Sequence, residues 1–192
     1  MPDCVSFIDG TVRSICRPTI NQRSFFNGHK RTHAIKFQSV VVPDGLVMHL
    51  SGPYPGLMHN AAMLRFSGLL VDMETSLVDD DDTDFILYGD AGYPITSQLL
   101  VPYKEIHPTE EQVEFNRQMS GHRIIVEWAF GQVLANFAFT DFKKNIRLYS
   151  QRPGQVYAAA MLLNNCKICL RGTSAAAQKY ALPPPTIGEY LY

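Results

Sequence analysis

The sequence predicts a mixed α/β domain, a central sheet flanked by helices, and three observations carry that prediction. The first 52 residues hold three β-rich stretches separated by turn signatures, and helically spaced apolar residues dominate after residue 60. Between the helical stretches lies one short, continuously apolar segment, "FILYGDAGYP". A chain of 192 residues, 46% hydrophobic and 18% charged, is long enough to close one core.

Each element has a local reason. "FIDGTVRSIC" alternates apolar and polar residues and reads as the first strand. "THAIKFQSVVVPDG" is a second strand ending in a Pro-Asp-Gly turn, and "LVMHLSG" is a third that stops at Gly-Pro-Tyr-Pro-Gly; the three form an antiparallel meander. "HNAAMLRFSGLLVDM" has helical spacing with Asn60 placed as its N-cap. The run "DDDDTD" at 79–84 reads as a solvated loop, and the apolar strand after it belongs in the middle of a sheet. Pro108, Thr109, Glu110 and Glu111 open a helix in "HPTEEQVEFNRQMSG", and "HRIIVEWAFGQVLANFAF" is a further helix, apolar enough to be covered nearly all round. "QVYAAAMLLNNCKICLRG" is helical by composition, and "ALPPPTIGEYLY" is an extended, Pro-rich tail, which divides the chain into a domain over 1–172 and a tail over 173–192.

Composition narrows the function classes. No run of about 18 apolar residues and no charged-then-apolar leader is present, so neither a membrane span nor a secretion signal is expected and the chain reads as intracellular. Cys4, Cys16, Cys166 and Cys169 lack the density of a disulfide framework. The C-x-x-C of Cys166 and Cys169 has no second ligand pair at zinc spacing, so it reads as helix packing. The net charge of −1 conceals an asymmetry: Lys and Arg against Asp and Glu number 6 to 3 over residues 1–50, 2 to 12 over 51–116 and 9 to 3 over 117–192. An acidic middle between basic ends is compatible with a polyanionic partner.

Three acids sit in apolar sequence: Asp9 in the first strand, Asp90 at the end of "ILYGD" and Glu127 in "RIIVEWAFG". A buried charge is costly unless paired or bound to metal. Each acid has an ordinary alternative. Asp9 and Asp90 can cap turns with the glycines near them, and Glu127 can pair with Arg123 at i, i+4. Taken together they fit something more specific. Three antiparallel strands, a helix, a short strand and further helices is the order of the ribonuclease H-like fold, which sets the first and fourth strands side by side at the sheet's centre. Carboxylates on both then approach each other, and a later helix can deliver a third. Converging carboxylates repel unless they surround cations, and hard oxygen ligands suit Mg²⁺ or Mn²⁺. Two such ions can hold a phosphodiester for hydrolysis or strand transfer.

The segments "FIDGT", "FFNGHKRTHAIKFQSVVVPDG", "GLMHNAAML", "LYGDAGYP", "LLVPY", "FNRQMSGHRIIVEWAFG" and "LLNNC" are similar in order and local form to the PIF/Harbinger-type DDE superfamily endonucleases, the transposases and their domesticated relatives. The resemblance covers residues 5 to about 172, and its most specific part is "GDAGYP" followed by the Glu127 motif, with 36 residues between Asp90 and Glu127. It implies a metal-dependent nuclease acting on DNA, with Asp9, Asp90 and Glu127 as the catalytic acids holding divalent cations, Mg²⁺ or Mn²⁺. The acid that the family tends to carry after the histidine of its "G..HD" segment is here Asn60, following His59. If Asn60 supplies a fourth metal ligand through its carbonyl oxygen, the site loses one negative charge; if Asn60 only caps its helix, little changes.

Two more departures concern DNA. The family usually places basic residues around its "VE.AFG" helix, where this chain has Trp128, Leu134 and Asn136, which implies fewer phosphate contacts. Lys143, Lys144, Arg147 and Arg152 either supply part of the footprint or form a solvated face. The helical DNA-recognition region of the family's transposases is not matched ahead of the first strand. DNA binding by this chain alone is therefore expected to be weak or non-specific, with a separate DNA-recognition protein as a candidate partner, in the nucleus or else the cytoplasm. The alternative reading is a catalytically degenerate remnant that survives as a DNA-associated or protein-interaction module. Among other residues, Asn27, Gly28, His29 and Lys30, near His33, read as a turn, His59 as a donor to a site carboxylate or a local hydrogen bond, and Tyr93 and Pro94 as the turn that aims Asp90.

Overall fold

The computed structural model describes residues 4–76, 85–141 and 146–192. The acidic run at 79–84, together with Lys143 and Lys144, lies outside the described residues.

β1 (Cys4–Ser14) is the axis of the sheet. It pairs antiparallel with β3 (Thr32–Val41), from Phe7 opposite Val41 to Ser14 opposite Ala34, and parallel with β5 (Ile86–Tyr88). β5 pairs parallel with β6 (Leu99–Leu100). β4 (Val47–Pro55) and the two-residue β2 (Phe26–Asn27) both run antiparallel to β3. The strand order is β2-β3-β1-β5-β6, with β4 also beside β3, so the sheet is mixed.

Strand alternation sends neighbouring residues to opposite faces, and both faces are covered. On one face Ile8, Val40, Leu87 and Leu99 pack under α2 (Asn60–Ser67) and α3 (Leu69–Ser76) through Leu64, Leu69 and Met73. On the other, Phe7, Ile35, Phe37, Val41 and Tyr88 pack under α4 (Glu110–Asn136), α5 (Pro153–Arg171) and α6 (Ala175–Tyr180) through Ile125, Val126, Tyr157, Met161 and Ala176. The Phe37 and Tyr157 rings stack at 4.4 Å. A one-turn helix, α1 (Gln22–Phe25), and a 3-10 turn at Ala138–Asp141 complete these layers.

Several sequence expectations are corrected. The helix expected from Asn60 onward is broken at Gly68, whose φ of +71° closes α2 before α3 begins. The third strand does not stop at Gly52 but continues to Pro55, because bulged pairing with β3 absorbs the irregularity and Gly52 leaves room for Phe37, whose ring would lie 2.8 Å from a Cβ there. The two helices expected over 108–139 are one 27-residue helix, α4, since Gly121 interrupts neither its bonding nor its packing. That helix is covered on one side only; Ile124 and Trp128 are each 38% exposed. The segment expected to be extended, 181–192, ends in a helix instead. Ala176 and Ala177 are buried, and α7 (Ile187–Leu191), started by a Thr186–Glu189 capping box, packs Ile187 and Tyr190 on Leu46, Ile168 and Cys169. Cys169 is buried and Cys166 half-buried on α5.

The start of α4 is the predicted one. Thr109 accepts from the Gln112 backbone N–H, and the Gln112 side chain accepts from the Thr109 N–H. Thr109→Ala is expected to lower stability by about 1 kcal/mol in urea denaturation, with an unchanged slope.

Candidate functional site

The parallel pairing of β1 and β5, with Phe7 opposite Tyr88, sets Asp9 in the middle of β1 level with Asp90 just beyond the end of β5. Asp9 lies on β1, on the α4 side, with its side chain 13% exposed. Its Oδ1 accepts from the Gly10 backbone N–H at 2.7 Å, and its Oδ2 accepts from Arg123 Nη1 on α4. Asp90 follows β5 in a tight turn in which Gly92 N–H donates to Asp90 Oδ1 at 2.8 Å and Tyr93 N–H donates to the Asp90 carbonyl at 3.2 Å. This is the turn expected of "GDAGYP", and it leaves the Asp90 charge near enough to act on Asp9.

Asn60 does not cap its helix. His59 holds the N-cap position, exposed and without a side-chain cap bond, and its carbonyl accepts from Ala62 and Met63. The Asn60 amide instead reaches Asp90, with Nδ2 3.2 and 3.3 Å from the two carboxylate oxygens. Its Oδ1 accepts from Lys36 Nζ at 3.1 Å, and the same ammonium donates to the Met58 carbonyl at 2.8 Å. Two glycines make this close approach feasible. A Cβ at Gly10 would stand 3.1 Å from Asn60 Oδ1, and one at Gly92 would stand 3.1 Å from Asp90 Oδ1.

Glu127 is set apart. Its side chain is 60% exposed and meets the group through Arg123, whose Nη2 lies 3.7 Å from Glu127 Oε1 while Nη1 holds Asp9. The i, i+4 pairing with Arg123 is therefore present, and the same guanidinium joins Glu127 to Asp9. Among the described residues, no group of three or more His, Cys, Asp or Glu side chains closes to metal-binding spacing.

The charges still act on one another. Burial pushes the Asp9 carboxyl up to about 6; Arg123 and the Gly10 N–H oppose the shift, while the charges of Asp90 and Glu127 add to it. Lys36 is pushed down by burial against the pull of Asp90 and Asp9. The Tyr93 phenol is pushed up by burial and then by Asp9 and Asp90, and its hydroxyl is buried with no hydrogen-bond partner. Sequence reasoning passed over Lys36, Tyr93's buried hydroxyl and the double role of Arg123. The available signal was a lone lysine inside the apolar strand "AIKFQSVV".

The Asp9 and Asp90 carboxylates are hard oxygen donors of the type that Mg²⁺ and Mn²⁺ select, whereas the Asn60 carbonyl is taken by Lys36 and its Nδ2 faces Asp90. The two carboxylates are hydrogen-bonded by Gly10, Gly92, Asn60 and Arg123, so a cation on Asp9 would have to take the place of the Arg123 contact. Asp9 and Asp90 are the residues here that could hold a divalent cation; Glu127 stands apart from them, 60% exposed and beyond Arg123.

A family model described as DDE superfamily endonuclease matches residues 8–165, which contain all of these groups. The chain belongs to that family. It is 24% identical over 169 residues to a Rattus norvegicus protein named "Putative nuclease HARBI1", covering 88% of this chain and 47% of that protein. The Mus musculus protein of the same name is 25% identical over the same shares. An Arabidopsis thaliana protein named "Protein ALP1-like" is 25% identical over 131 residues, 62% of this chain and 32% of that protein. The chain thus spans about half the length of the HARBI1 relatives. No solved structure is a significant match.

Two of the three positions that the resemblance expects to be basic, Trp128 and Asn136, lie beside cations from other helices. Lys179 of α6 stands over the Trp128 ring at 5.6 Å, and Lys167 of α5 donates to Asn136. Arg147 and Arg152 are exposed, and Asn27 to Lys30 form the predicted turn, closed by Lys30 N–H on Asn27 Oδ1.

Proposed function

We propose that this chain is the catalytic domain of a metal-dependent DNA endonuclease of transposase origin, ribonuclease H-like in fold, that hydrolyses phosphodiester bonds with two divalent cations held by Asp9, Asp90 and Glu127. The observation that carries the reading is the pairing of β1 with β5, which sets Asp9 level with Asp90 beyond the end of β5 while α4 supplies Arg123 and Glu127. The strand order, with β1 between an antiparallel β3 and a parallel β5, supports the fold assignment. When bound, the cations supply activation of the attacking water and stabilisation of the leaving oxygen. The chain's own groups prepare the site. Gly10 and Gly92 N–H bonds fix the two carboxylates, and Lys36 holds the Asn60 amide against Asp90. Arg123, held on Asp9 and near Glu127, would be the chain's own cation for the phosphodiester. For this reading we propose DNA as the substrate and the nucleus as the site of action.

A second reading has its own support. Arg123 on Asp9 and Asn60 on Asp90 satisfy both carboxylates without metal, as expected of a degenerate remnant that retains only DNA or protein association.

Supercoiled plasmid incubated with the chain and Mn²⁺ or Mg²⁺ separates the two. Nicking is expected from the native chain, and Asp90→Ala is expected to lower it by roughly two orders of magnitude or more. No nicking by either chain supports the remnant. Because cation binding needs an ionised Asp9, nicking at sub-saturating Mn²⁺ is also expected to fall as pH drops through about 6, and saturating Mn²⁺ is expected to move that fall to lower pH in a pH–rate profile.

A further inference from the structure

The geometry points to a second site, unrelated to the carboxylates: a pocket floored by Arg13 that binds a small organic anion with an apolar body, of the aryl- or alkyl-carboxylate class. A cavity of about 410 Å³ opens between the ends of β1 and β3, the 3-10 turn and the first turn of α5. That volume lies within the range of about 300–1,000 Å³ typical of ligand pockets. Its walls are Ile35, Phe37, Phe139, Ile146 and Val156, and its charged lining residues, among the described ones, are Arg13 and Arg152, with no carboxylate.

Arg13 is the group that asks for a ligand. Its side chain is 7% exposed. Nη2 donates to Thr11 Oγ1 at 2.6 Å and to the Tyr157 hydroxyl at 3.3 Å, and the guanidinium lies over the Tyr157 ring. Nε has no partner, and the approach of Nη1 to Asp141 is 3.7 Å, an ion pair longer than a hydrogen bond to a carboxylate that is 55% exposed. A guanidinium carries five N–H donors, and a buried cation with unused donors is costly. The adjoining wall adds positive potential. α5 begins at Arg152 with no side-chain cap and no acid in its first turn, and its 19 residues direct their dipole at this end. Gln151 Oε1 is already taken by the Arg147 N–H. The polar part of the cavity is therefore rich in donors and positive charge, and the rest is apolar. A molecule with one carboxylate on a hydrophobic body matches both. Arg13 lies four residues beyond Asp9 on β1, about 13 Å away, so the pocket does not overlap the carboxylate site.

Titration of 4-phenylbutyrate into the purified chain, alongside its uncharged amide and inorganic phosphate, tests the assignment. The carboxylate is expected to shift the methyl resonances of Ile35, Ile146 and Val156 saturably and, at ten times its Kd, to raise the melting temperature by about 3–6 °C. The amide and phosphate are expected to do neither. Arg13→Met is expected to abolish binding; because its loss also disturbs Thr11 and Tyr157, Val156→Trp serves as a second variant that fills the cavity and leaves Arg13 in place. Binding of the amide as tightly as the acid, survival of binding in Val156→Trp, or no response to the carboxylate at millimolar concentration would each overturn the proposal.

Discussion

Asp9→Asn is expected to raise the stability of the metal-free protein at pH 8 and to remove its response to Mn²⁺. The Asp9 carboxyl is held near 6 by burial, above its ordinary value of 3.8, so the folded protein binds the proton more tightly than the unfolded chain does. A group with a raised folded pKa favours the fold when protonated, and that contribution is lost as pH rises through about 6. Above pH 6 the ionised Asp9 is a cost of up to about 3 kcal/mol, which a neutral amide of the same shape avoids. The gain should shrink between pH 6 and pH 4 and vanish below it, where both states are protonated. Thermal denaturation of the two proteins across pH 4–8, with and without Mn²⁺, reads both effects. An Asn variant less stable than the native chain at pH 8 would mean that the Arg123 contact outweighs the cost of burial.

Lys36→Met is expected to act in the opposite direction, lowering stability by about 2–4 kcal/mol, or ~5–15 °C in melting temperature. The lysine is 9% exposed and is the donor to both Asn60 Oδ1 and the Met58 carbonyl, so methionine leaves two acceptors unmet and removes a cation that faces Asp90 and Asp9. The freed Asn60 amide no longer has a fixed orientation against Asp90. Loss of such a supporting contact is expected to weaken Mn²⁺ binding about 10–100-fold even where the variant is folded. Urea denaturation and Mn²⁺ titration measure the two consequences separately.

Much of the sheet was legible from alternation and turn chemistry. "FIDGTVRS" and "AIKFQSVV" have period-2 patterns that pair in the expected antiparallel sense, and the apolar "ILY" lies beside β1 as a middle strand does. What escaped was decided by tertiary contact or by a single backbone position. Gly68 divides one helical pattern in two through its positive φ, whereas Gly121 passes unnoticed within α4 because no neighbour approaches it. Thr186 and Glu189 are spaced as a capping box, yet the prolines before them outweighed that signal, and only the packing of Tyr190 and Ile187 shows the helix.

The candidate site divides in the same way. Acids followed closely by glycine in apolar strands pointed to Asp9 and Asp90, and strand adjacency followed from element order. The cations among them could not be read. Arg123 counted as a helix-surface partner of Glu127, and nothing local says that it also reaches β1. Lys36 is one charged residue in a strand, and its role depends on Asn60 arriving from α2. Asn60 has the composition of an N-cap, but the turn at His59 places it one residue inside the helix, where its amide faces Asp90.

Calorimetric titration of Mn²⁺ at pH 8 tests, without reference to substrate, the assignment of Asp9 and Asp90 as a cation site. The native chain is expected to bind Mn²⁺ saturably with proton release, and Asp90→Ala to show no saturable heat. Absence of binding by the native chain, or equal binding by Asp90→Ala, would contradict it.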